Sequence, residues 1–82
     1  MSTYDVYENL NRLKVLLVQD GRNELAEQIT EAVETSATGT EVLMQVHYLL
    51  REFQETNAPI SLATKTQLAD IVKYLMDALD YS

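Results

Sequence analysis

Glu24, Glu27, Glu31 and Glu34 step by three, four and three along the chain. On a helix that spacing gathers all four carboxylates into an arc of roughly 80°. Carboxylates so arranged can ligate a metal or face a cationic partner. A di-metal site in a helical bundle needs acidic groups aimed at the interior and a Glu-x-x-His pair. Here Leu25, Ile29 and Val33 occupy the opposite face, and the single histidine, His47, has Met44 three residues before it. Metal binding is disfavoured, and no metal or cofactor is expected. The reading left is a solvated or partner-facing acidic surface centred on Glu27, Glu31 and Glu34.

His47 is the other residue able to do chemistry. General acid or base work needs a group that orients or activates the imidazole, and nucleophilic catalysis needs an activated thiol or hydroxyl. The chain has no cysteine, no serine in a nucleophile-elbow context and no glycine-rich phosphate loop. No catalytic residue is expected, and the chain reads as a non-enzyme. His47 lies about 40° from Leu43 around a helix. It is expected as a boundary side chain with one hydrogen bond.

Apolar and aromatic residues off the core stripes point to recognition surfaces. Tyr4, Tyr7, Asn11, Val15 and Val18 form a second seam beside Val6, Leu10, Leu13 and Leu17. Either the first helix is the most central one or this seam meets another chain, a homodimer being the alternative to burial. Asp70, Tyr74, Asp77 and Tyr81 follow one another along the last helix, on the side away from Leu68 and Leu75. Tyrosine supplies apolar area and a hydroxyl at little entropic cost, so this set is a candidate partner-binding face. Met44, Tyr48 and Arg51 form a smaller group of the same kind.

Composition narrows the partner. Thirteen acidic residues against six basic ones leave a net charge of −7 in 82 residues. The average field repels phosphate backbones and anionic lipid, so neither nucleic acid nor membrane is an expected partner and a basic protein is. Lys14, Gln19 and Asp20 interrupt the most hydrophobic stretch, and no charged leader precedes an apolar run. The expectation is a soluble cytoplasmic chain without disulfides.

The elements that position these residues are separated by Gly21, Gly39 and Pro59. Val6, Leu10, Leu13 and Leu17 predict a helix over about 3–20, capped near Ser2 or Thr3 and stopped at Asp20-Gly21. Leu25, Ile29 and Val33 predict a second over 23–35, with Asn23 as its cap. Thr38-Gly39-Thr40-Glu41 has capping-box spacing and announces a third over 41–55, carrying Leu43, Val46, Leu50 and Phe53. Ser61 caps a fourth over 61–80, whose stripe is Leu68, Ile71, Val72, Leu75 and Leu79. With no strand-like alternation, the fold expected is all-α: one domain over 1–82, either a compact four-helix bundle or an irregular array in which the short second helix crosses steeply.

At Leu13, Leu16-Leu17, Asp20-Gly21, Glu24, Ala26-Glu27, Ile29 and Ala32, continued at Leu49-Leu50 and Phe53, the spacing resembles that of small bacterial helical domains of the immunity type. The likeness covers about residues 10 to 55. In size, acidity and helical content the chain is also similar to the colicin-nuclease immunity proteins. The resemblance implies a bacterial or phage protein that inhibits a partner by occluding it.

Overall fold

The computed structural model describes residues 4–79, which form four helices: α1 (Val6–Gln19), α2 (Asn23–Thr35), α3 (Gly39–Glu55) and α4 (Leu62–Leu79). Each packs against two others. α1 contacts α2 and α4, α3 contacts the same two, and the diagonal pairs do not meet. The all-α, four-helix expectation is therefore met, in a body of 34 × 28 × 25 Å.

The stripes read from spacing are the core. Leu10, Leu13 and Leu17 from α1, Ile29 from α2, Val46 and Leu50 from α3, and Ile71 and Leu75 from α4 are essentially inaccessible. Burial of apolar area at about 25 cal/mol per Å² is the main term holding such a small body together. Val33, Leu43, Leu49 and Phe53 lie half-buried around this centre.

The helix ends depart from expectation in three places: α3 begins at Gly39, directly after its cap Thr38, rather than at 41, and the caps of α1 and α2 differ. The start of α1 was expected at Ser2 or Thr3, which lie outside the described residues. The cap is Asp5, whose Oδ1 accepts the Glu8 amide at 3.1 Å, a carboxylate at the positive end of the helix. Asn23 does not cap α2 but is its first residue. The cap position belongs to Arg22, which has no side-chain cap bond. The reason is the turn before it: the Gly21 amide donates to Val18 O and the Arg22 amide to Leu17 O, at 3.0 and 2.7 Å. This double closure needs a left-handed residue, and Gly21 adopts φ +79°. The closure ends at Arg22, so α2 starts at once.

Thr38 and Ser61 cap as expected, accepting the amides of Glu41 and Thr64 at 3.2 and 3.3 Å. The Glu41 carboxylate closes its box one residue early, on the Ala37 amide at 3.0 Å.

Candidate functional site

α1 and α4 run antiparallel and are joined along their length by polar contacts. At one end Asp20 Oδ2 accepts from the Ser61 amide at 3.0 Å, the Ser61 hydroxyl at 3.2 Å and the Thr64 hydroxyl at 2.6 Å. These donors, Thr64 foremost, hold the Asp20 carboxyl below the usual carboxylate range. Beside it the Arg22 guanidinium donates to Pro59 O at 2.8 and 3.3 Å. Midway, Gln67 Nε2 donates to Asn9 Oδ1 at 3.0 Å. At the far end the Tyr4 ring stacks on Tyr74 with centroids 4.2 Å apart, and its hydroxyl donates to Asp70 Oδ2 at 3.3 Å. Desolvation first, then the Asp70 charge, pushes the Tyr4 hydroxyl up to about 12.

These contacts redistribute the sequence-predicted site residues. Tyr4 leaves its seam and is engaged by α4, while Tyr7, Asn11, Val15 and Val18 remain exposed. In the set on α4, Asp70 and Asp77 are exposed, whereas Tyr74 is half-buried against the core beneath Tyr4. Tyr81 lies outside the described residues.

The other flank of α1 is different. Val15 and Val18 are 57% and 52% exposed and face Glu27, Glu31 and Glu34 of α2 across an open groove of about 750 Å³. Two sets read separately from the sequence, one apolar and one acidic, thus line one surface. Lys14, Ala26 and Thr30 also line it. Lys14 Nζ donates to Thr30 Oγ1 at 3.1 Å, and that hydroxyl donates back to Ala26 O at 3.2 Å. The one ion pair among the described residues is Arg12 with Glu8 at 3.7 Å, away from this groove. The carboxylate row therefore stands without a salt-bridged cation.

A smaller hollow of about 380 Å³ lies on the α3 side of α2, where exposed Met44 and Tyr48 face Gln28, and Glu31 and Thr35 line both hollows. Tyr48 donates to Glu52 Oε2 at 3.1 Å, which raises its hydroxyl above the ordinary tyrosine value. Arg51 reaches toward the Met76 sulfur, 4.0 Å away. His47 is half-buried, and its Nε2 is buried without a hydrogen-bond partner, where one bond was expected. No three His, Asp or Glu side chains among the described residues are grouped as a metal ion requires. No helix among them is long and apolar enough to cross a membrane.

Sequence reasoning missed the Asp20–Ser61–Thr64 junction, reading Asp20 only as a helix stop. A signal was present: Thr64 precedes Leu68, Ile71 and Leu75 by helical steps, so it stands in the core stripe of α4 and is fully buried. A buried hydroxyl requires a partner. Comparison with family models, with curated proteins and with solved structures finds no match.

Proposed function

We propose that this chain is a non-enzymatic binding protein of the immunity or inhibitor kind, from a bacterium or phage, that works in the cytoplasm by occluding a basic partner protein. One observation carries the reading: the exposed Val15 and Val18 share a groove with Glu27, Glu31 and Glu34. Apolar area supplies affinity once buried, and carboxylates without a salt-bridged cation steer a cationic surface toward it and reject anionic ones. A net charge of −7 extends that steering over the whole molecule. Asp70 and Asp77 form a second acidic face, with Tyr74 supplying its half-buried edge.

The test is co-purification from the source cell, comparing the wild-type chain with a Glu27→Lys/Glu31→Lys/Glu34→Lys variant at low and moderate salt. The expected outcome is a basic protein held by the wild type, more weakly as salt rises, and lost by the variant. Recovery of no basic protein at either salt would sink the reading.

The exposure of Tyr7, Val15 and Val18 along one side of α1 favours a second reading, a homodimer joined through that helix. Light scattering separates the two. A strict monomer at high concentration eliminates the dimer, and a dimer dissolved by Val18→Glu establishes it.

A further inference from the structure

We infer that the α1–α2 groove receives one amphipathic helix of the partner, with its apolar stripe on Val15, Val18 and Ala26 and a row of Lys or Arg along Glu27, Glu31 and Glu34. This rests on the reading of a basic protein partner and specifies the form in which that partner binds.

The chemistry of the walls selects a helix. Both walls are α-helical, so between the helix ends the amides and carbonyls are bonded within their own helix, and the groove offers side chains and no strand edge. An extended peptide lying there would bury amides and carbonyls with nothing to pair them. A helix satisfies its own backbone and presents only side chains, the usual way an amphipathic segment enters a helical groove. The α1 wall contributes Val15 and Val18, with Lys14 held on Thr30, and the α2 wall the carboxylates, so the occupant needs an apolar stripe with its cations on the α2 flank. Along α2 the carboxylates rise by about 6 Å from Glu27 to Glu31 and about 10.5 Å from Glu27 to Glu34, matching basic residues at i, i+4 and i+7 of a second helix.

Charge also decides against a second copy of this chain in the groove. A two-fold pairing through Val15 and Val18 would bring two rows of Glu27, Glu31 and Glu34 toward each other, on molecules that each carry −7. A cationic helix meets the same row with the opposite sign.

The experiment titrates the full isotope-labelled chain with a synthetic 18-residue helical peptide of leucine and lysine, the leucines at i, i+3, i+4 and i+7. A scrambled peptide of the same composition, without an apolar face, is the control. Expected are backbone amide shifts centred on Val15, Val18, Ala26 and Thr30, at least tenfold weaker binding by the scrambled peptide, and at least tenfold weaker binding of the helical peptide by Val15→Ser/Val18→Ser. These two valines are exposed, so the variant keeps its core. Equal binding of the two peptides, shifts centred on Asp70 and Asp77, or groove shifts that appear on concentrating the free chain would each overturn the inference. Failure here is separable from failure of the broader reading. A basic protein that co-purifies through Glu27, Glu31 and Glu34, with no groove response to the helical peptide, defeats the helix alone. Absence of both defeats both.

Discussion

The two flanks of α1 treat polar groups in opposite ways. Toward α4, Asp20 collects three donors, Asn9 and Gln67 pair, and Tyr4 is both stacked and hydrogen-bonded. Toward the open side of α2, two valines are more than half exposed and three glutamates stand without a salt-bridged cation. The first flank is complementary within the chain, whereas the second, joined across by the Lys14–Thr30 bond, leaves its valines and glutamates unmatched. An interface already matched internally contributes to stability, whereas unmatched apolar area and charge contribute to binding. Each flank should therefore respond to substitution on a different readout.

The sharpest contrast is between neighbours. Leu17 is fully buried and Val18 is not, although they are adjacent in the chain. Leu17→Ala should cost about 3 kcal/mol in urea denaturation, from lost transfer energy and the cavity left behind. Val18→Ala should stay within about 0.5 kcal/mol. Comparable losses at both positions would mean that the groove is part of the core.

Thr64→Val keeps the shape of a fully buried side chain and removes its bond to Asp20. A loss of about 1–2 kcal/mol is expected by the same measurement, and no loss would show that the junction contributes nothing to stability. Gly21→Ala meets open space but must keep φ near +79°, so a loss of about 1 kcal/mol is expected from the backbone alone. An unchanged midpoint would mean that the α1–α2 turn tolerates another closure.

The junction and the tyrosine pair also predict opposite pH responses. Asp20 has a lowered pKa in the folded chain, so its contribution is present above the ordinary carboxylate range and is lost as pH falls through the depressed value. Tyr4 has a raised pKa, so its contribution is complete below about 10 and is lost as pH climbs toward about 12. Asp20→Asn should flatten the acid limb of a melting-temperature profile and Tyr4→Phe the alkaline limb. If either variant leaves its limb unchanged, the corresponding contact is not made in solution. The smallest effect is expected in the groove: Glu27→Gln with Glu31→Gln should leave the melting temperature unchanged or slightly higher, by relieving like charges four residues apart. A marked fall would show that those carboxylates serve the fold.

Legibility followed the range of the interactions. Helical stripes and the caps at Thr38 and Ser61 depend on residues within one turn of each other, and spacing reveals them. The caps of α1 and α2 escaped because neighbouring alternatives competed, Ser2 or Thr3 with Asp5 and Asn23 with Arg22. Within the candidate site, the acidic row on α2 and the second seam on α1 were each readable. Their meeting was not, nor was the withdrawal of Tyr4 into a stack on Tyr74.

By itself the sequence determined that this chain is helical, which face of each helix turns inward and that its surface is acidic, because periodicity and composition are properties of single segments. Only the tertiary structure decided that α1 turns one flank to α4 and leaves Val15 and Val18 facing the carboxylates of α2. That choice depends on which helices pack side by side, and the physical reason is that a local pattern specifies which face is buried but not which neighbour covers it.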